Sequence, residues 1–251
     1  MEPPRSMSDE QERLFRSSDR VRQRGEVFTP SRIVEDMLDL LPEAMWDPSE
    51  TPTYLEPACG DGNFLVAVLD RRLRRLLEAW ENGGLPDGTD AVCFRLHALR
   101  ALSGIYGMDI STENIEGGTE GHPIGARARL VAIFERYLAM AGASPRSDAS
   151  ASAGWIVEHN IQVVDMLPSP GARPSSRDDV VLIEYEWNTA NRSVVIRQTS
   201  LAAVALAFVE APTLFETPSP TPLWSGPAES LHAASSRDLD RGAQTPRAKA
   251  A

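Results

Sequence analysis

The chain has little cysteine, almost no lysine and no long apolar run. Cys59 and Cys93 are the only 2 cysteines in 251 residues, which excludes a disulfide scaffold and a cysteine-based metal ribbon. Lys249 is the single lysine among 25 basic residues, so the positive charge is almost all arginine, a side chain that forks onto carboxylate or phosphate. No stretch approaches the roughly 18 continuous apolar residues of a spanning helix, and the acidic, proline-containing start lacks the basic region and apolar run of a signal peptide. The expectation is a cytoplasmic protein with no membrane partner. A net charge of -11 argues against coating nucleic acid by bulk electrostatics, though it leaves room for a local basic groove. His97, His122, His159 and His232 share no metal-ligand spacing with one another or with the cysteines, so no metal site is expected.

What is present is the composition of an ordinary folded domain, with 42% hydrophobic and 24% charged residues. Residues 1–24 interleave Arg13, Arg16, Arg20, Arg22 and Arg24 with acidic side chains and form a separate polar segment. A folded domain is expected over 25–210. Beyond it, 211–251 holds 6 prolines and little apolar periodicity and reads as a disordered tail.

Within the domain, Thr29-Pro30-Ser31 starts a helix whose apolar residues run to Leu41 before Pro42. Thr53-Tyr54-Leu55-Glu56 is a short strand that enters a glycine turn, and Phe64 to Leu77 is a long amphipathic helix. A helix over 91–103 leads into an apolar strand, Ile105 to Ile110. A glycine loop over 117–125, a helix over 126–140 and a small-residue linker over 141–153 follow. Asn160 to Val164 is a third strand and Val180 to Ile183 a fourth apolar run, which can form a hairpin with Ser193 to Thr199; residues 201–209 read as helical. Alternating strands and helices predict an α/β fold, a mostly parallel sheet with helices on both faces and ligands at the carboxyl ends of its strands.

Glu56, Asp109 and Asp165 stand at those ends. In such a sheet the first strand-to-helix turn needs glycine where backbone passes close to a ligand, and an acidic residue closing the second strand can accept both ribose hydroxyls. Gly60 and Gly62 with Glu56 and Asp109 meet both demands. A glycine pair alone is more often just a tight turn; here the acidic strand ends shift the balance. Leu65 stands where a Gly-x-Gly-x-x-Gly fingerprint has its last glycine, which disfavours a nicotinamide cofactor. Cys59 reads as a small packing residue rather than a nucleophile. Arg71, Arg72, Arg74 and Arg75 read as the solvated outer face of the long helix rather than as a phosphate track.

Four blocks occur in a familiar order: Gly25-Glu26-Val27-Phe28-Thr29-Pro30, Glu56-Pro57-Ala58-Cys59-Gly60-Asp61-Gly62-Asn63-Phe64-Leu65, Ile105-Tyr106-Gly107-Met108-Asp109-Ile110, and Asn160-Ile161-Gln162-Val163-Val164-Asp165-Met166-Leu167. In these the sequence resembles the S-adenosylmethionine-dependent, adenine-specific (N6) DNA methyltransferases of restriction-modification systems. The resemblance implies a Rossmann-like methyltransferase fold, shortened toward the C-terminus, with S-adenosyl-L-methionine as cofactor and DNA as substrate. It implies that Thr29 and Pro30 wrap the methionine end of the cofactor and that Glu56 faces its amino group. Ala58, Gly60 and Gly62 would form the loop beneath it, Asp109 would take the ribose hydroxyls, Ile110 would follow in the same block, and Asp165 would face the adenine amino group. The family's Asn/Asp-Pro-Pro-aromatic tetrapeptide, whose aromatic ring stacks on the flipped adenine, does not occur. Where it is due the sequence reads Glu184-Tyr185-Glu186-Trp187, so Glu184, Tyr185 and Trp187 are the candidate catalytic residues, weighed against a solvated strand end with packed aromatics. The family's long target-recognition region is also missing. The alternative is a non-catalytic or truncated cofactor-binding module that relies on a separate specificity subunit.

Overall fold

The computed structural model of the chain describes residues 29–85, 88, 90–119, 122–142, 148–166, 180–201 and 222–234. Pro30 precedes helix α1 (Ser31–Leu38), and its carbonyl accepts from the amides of Ile33 and Val34. The helix buries Val34 and Leu38 and stops short of the expected Leu41, giving way to a 3-10 turn over Glu43–Trp46. Strand β1 (Tyr54–Glu56) then leads through the glycine turn into α2 (Asn63–Glu81), which buries Leu65, Val68, Leu69, Leu73, Leu76 and Leu77 at helical spacing.

Arg72 departs from the expected outer face. Its guanidinium turns inward, donating to the carbonyls of Glu50 (2.9 Å) and Pro52 (3.3 Å) and lying 5.9 Å from the Tyr54 ring centroid. Burial lowers its pKa to about 10. Arg71 pairs with Glu35 and Asp39, and Arg75 with Glu43. Most of this arginine run is therefore tied to the fold.

Helix α3 (Ala91–Ser103), N-capped by Asp90, feeds strand β2 (Ile105–Asp109) as expected. Helix α4 (Thr112–Glu116) follows, and the expected glycine loop contains two short antiparallel strands, β3 (Gly117–Thr119) and β4 (His122–Ile124). Helix α5 (Ala126–Met140) matches expectation. The expected linker does not: α6 (Asp148–Asn160) occupies much of it, with Ala149, Ser152 and Ala153 fully buried. These small residues allow close helix packing, a role that composition alone does not distinguish from a linker.

Strand β5 (Ile161–Val163) completes a parallel sheet of order β1-β2-β5. The protein is thus a mixed α/β structure with a three-stranded parallel sheet and helices. The expected mostly parallel sheet is corrected beyond this core. Strands β6 (Val181–Asn188) and β7 (Ser193–Ser200) form the anticipated hairpin, and β6 pairs with β7 rather than extending the parallel sheet. Among the described residues, Tyr106 and Met108 of β2 pack against Val180 and Leu182. The Tyr106 hydroxyl donates to the Ile183 carbonyl at 2.5 Å, which holds the hairpin to the sheet.

The expected disordered tail is corrected over 222–234. There β8 (Trp224–Pro227) adds an antiparallel strand to β7, and a 3-10 helix over Ala228–Ala233 buries Ala228 and Leu231. Tail prolines obscured this, although Pro227 sits at the strand end, where a missing amide donor is tolerated. The remainder of 211–251, the segment 1–24, residues 25–28, Leu167 and the expected helix after Leu201 lie outside the described residues. No helix among the described residues is long and apolar enough to cross a membrane.

Candidate functional site

The turn between β1 and α2 is shaped by short-range bonds. The Cys59 amide donates to the Met108 carbonyl and the Gly62 amide to the Cys59 carbonyl, both at 2.9 Å, while Glu56 Oε1 accepts from the Ala58 amide at 3.2 Å. Gly60 and Gly62 adopt φ of +55° and +85°. At Gly62 a Cβ would stand 3.0 Å from the Ala126 Cβ, so a side chain there would be both strained and crowded.

Asp109 braces this turn from the end of β2. Its Oδ2 accepts from the Gly60 amide at 2.9 Å, and its Oδ1 accepts from the Ser111 amide at 2.8 Å and the Asn114 side-chain amide at 3.2 Å. A carboxylate offers about four lone-pair sites. Asp109 thus holds the loop and keeps some capacity to accept from a ligand.

A pocket of about 160 Å³ opens beside the turn, lined by Thr29, Val34, Met37, Glu56, Ala58, Cys59, Gly60, Asp61, Asn63 and Phe64. Four of the expected site residues, Thr29, Glu56, Ala58 and Gly60, meet in it from two separate stretches of chain. Pro30 supports it as the start of α1, and Gly62 as the residue before α2. Ile110, 70% exposed, and Asp165, half-buried, lie outside the pocket lining at the carboxyl ends of β2 and β5. These ends are adjacent, since the Val164 amide donates to the Asp109 carbonyl at 2.9 Å.

The site is acidic. Burial pushes the Cys59 thiol up, and the carboxylates of Asp109 and Glu56 push it further the same way, so the thiol stays protonated and is no nucleophile. Such a pocket suits a ligand with cationic centres and hydroxyl donors. Among the described residues no group of three or more His, Cys, Asp or Glu side chains is placed to hold a metal ion.

Glu184, Tyr185 and Trp187 are not brought to this pocket. Trp187 Nε1 donates to Ser103 Oγ at 2.9 Å, and Ser103 precedes β2 by two residues, whereas Asp109 ends it. Strand β2 lies between them, about 13 Å of extended chain. The Tyr185 hydroxyl donates to Asn160 Oδ1 at 2.9 Å, and its ring stacks on Trp187 with centroids 6.3 Å apart. Both aromatics therefore spend their polar groups within the fold. Glu184 is exposed and lines a separate hollow of about 210 Å³ with Thr51, Thr53, Arg100 and Tyr106.

Sequence reasoning missed Met37, Asn63 and Phe64 as pocket walls and Arg129 as their support. Asn63 and Phe64 carried a signal by lying within the glycine block, and Met37 by lying on the helix that follows the Thr-Pro pair. Arg129 reaches the turn from α5, 66 residues beyond Asn63.

No protein-family model and no solved structure matches the chain. Over 67 residues it is 37% identical to a type II methyltransferase of Pseudomonas aeruginosa, a match that covers 27% of this chain and 11% of that protein. The similarity relates part of the chain to a methyltransferase; the matched stretch is a small fraction of the relative's length.

Proposed function

We propose that the chain carries the S-adenosylmethionine site of a Rossmann-like methyltransferase that acts on the N6 amino group of adenine in DNA, as restriction-modification methyltransferases do. The observation behind this reading is the meeting of Thr29, Glu56, Ala58 and Gly60 in one pocket, with Asp109 bonded to the Gly60 amide. The partial similarity to a type II methyltransferase supports it. Bound there, the cofactor would supply a methyl group already activated on a sulfonium.

The residues of the chain bind and orient. Glu56 accepts from the ammonium of the cofactor, and the glycine backbone lets the ligand approach closely. A cavity of about 160 Å³ is smaller than the roughly 300–1,000 Å³ of whole-ligand pockets, so it takes the methionine end. Thr29 and Pro30 would hold that end. Asp109 would hold the ribose hydroxyls, and Ile110 and Asp165 would hold the adenine end. Transfer then depends on alignment more than on acid-base power, because the leaving group needs no protonation.

A second reading is favoured by the place of Glu184, Tyr185 and Trp187 at the far end of β2. In it the chain is a cofactor-binding module, and a separate specificity subunit supplies DNA recognition and the groups that face a flipped adenine. Transfer of tritiated methyl from the cofactor to duplex DNA separates the two. Label on N6-methyladenine with the chain alone supports the enzyme, and bound cofactor without transfer supports the module. Glu184→Gln, an exposed change, abolishes transfer if Glu184 faces the base and leaves it intact if it does not.

A further inference from the structure

Arg129 stands outside every block that the resemblance covers at the pocket, yet it makes more polar contacts to the glycine turn than any other side chain of α5. One guanidinium nitrogen donates to the Asp61 carbonyl at 2.7 Å and lies 3.2 Å from the Asp61 carboxylate, and the other donates to Asn63 Oδ1 at 2.7 Å. Asp61 and Asn63 both line the pocket. The side chain is 29% exposed, against 18% for that of Asp61. It reaches the turn from the same helix that places Ala126 against Gly62.

We infer that Arg129 is a positioning residue, a clamp that holds the 59–63 turn in its ligand-ready shape and offsets the charge of Asp61. The inference concerns the pocket of the proposed function and rests on that reading for its ligand. Three features point to it. The planar fork joins a backbone carbonyl and a side-chain amide, a geometry lysine cannot reproduce. Both contacts end on pocket walls, so their loss alters the cavity directly. With Asp61 paired, Glu56 remains as the acidic group of the pocket lining for a cationic ligand, and Arg129 itself stays behind the wall.

The test compares the wild type with Arg129→Ala, Arg129→Lys and Asn63→Ala in two measurements. Amide hydrogen exchange of the free protein reads the turn without any ligand. Faster exchange at residues 59–62 in Arg129→Ala, with unchanged exchange in β2 and α3, is expected. Titration with S-adenosylmethionine reads the pocket. Because hydrogen bonds to a charged group are the stronger class, affinity is expected to fall about tenfold or more in Arg129→Ala and less in Arg129→Lys and Asn63→Ala. Unchanged exchange at 59–62 in both Arg129 variants overturns the clamp, as does wild-type affinity in Arg129→Ala. A uniform rise in exchange across the fold in both Arg129 variants also overturns it, since that marks a general structural role. If the wild type itself binds no S-adenosylmethionine while the turn loosens in Arg129→Ala, the cofactor reading fails and the clamp stands.

Discussion

Gly107 shows how much a single missing side chain can fix. It lies in the middle of β2, where a Cβ would stand 2.5 Å from Leu65 Cδ1 and 3.1 Å from Cys59 Sγ. The absent methyl group is what lets the glycine turn and the first turn of α2 settle onto the sheet, with Leu65 fully buried. Gly107→Ala is expected to destabilise the protein by about 1–3 kcal/mol, the usual range for overpacking, and to weaken ligand binding as Cys59 and the turn shift. Thermal unfolding and ligand titration of that variant check both effects. This role of Gly107 is not legible in the sequence, because its neighbours across the fold come from residues 59 and 65. The turn at Gly60 and Gly62 was legible, since glycine is the type such a turn requires, and Asp109, 49 residues beyond Gly60, was legible as the acidic end of its own strand. Arg72 was not, because helical periodicity marks a face as outer or inner but does not reveal carbonyls waiting at Glu50 and Pro52.

At the scale of elements, helix ends and apolar spacing carried the reading well. Helices α3 and α5 fall where their patterns put them, and the hairpin of β6 and β7 follows from alternation across a polar turn. The start of α3 illustrates the local physics. Asp90 Oδ1 accepts from the Cys93 amide at 2.7 Å, and Arg192 binds its other oxygen at 3.0 Å. The Cys93 amide bond and the Arg192 contact hold the Asp90 carboxyl below its ordinary value. A depressed carboxyl pKa stabilises the fold above the unfolded value near 3.8, and that contribution is lost as pH falls through the folded value. Asp90→Ala is therefore expected to lower Tm at pH 7, and its deficit relative to wild type should shrink in acid. Asp90→Asn, which keeps an acceptor for the Cys93 amide, should lose less. A deficit that stays constant down to the acid limit would show that the cap does not act through this carboxylate. The first half of helix α6 escaped the reading because its buried residues there are Ala149, Ser152 and Ala153, which look the same in a linker.

Over the whole molecule, the segment 222–234 changes the picture most. Leu231 is fully buried, the Trp155 indole donates to the Ala234 carbonyl at 3.1 Å, Ser152 Oγ donates to the Glu229 carbonyl at 2.8 Å, and Arg95 pairs with Glu229. These contacts tie residues past 222 to α3 and α6. Leu231→Ala is expected to cost about 2–5 kcal/mol, as for other buried leucines cut to alanine, and a chain stopped at residue 210 should unfold at a clearly lower temperature than the full chain. Equal stability of the two chains would return this segment to the role of a tail. Composition concealed it, since its apolar residues are few and become a core only when β7 and α6 are beside them. The parallel core with its acidic strand ends was legible for the opposite reason: each strand carries its own turn and its own carboxylate. Long-range choices, such as β6 crossing the Tyr106 face instead of joining the parallel sheet, depend on surfaces that no local pattern describes.

The binding of S-adenosylmethionine is the event on which every functional statement depends. Calorimetric titration of the full chain, beside Asp109→Ala, tests it most directly. Saturable one-site binding is predicted for the wild type, lost or strongly weakened in the variant, because the substitution removes both the proposed ribose acceptor and the anchor of the Gly60 amide. A folded wild type that releases or absorbs no heat at any cofactor concentration, and shows no shift in Tm with cofactor, would contradict the assignment of the pocket.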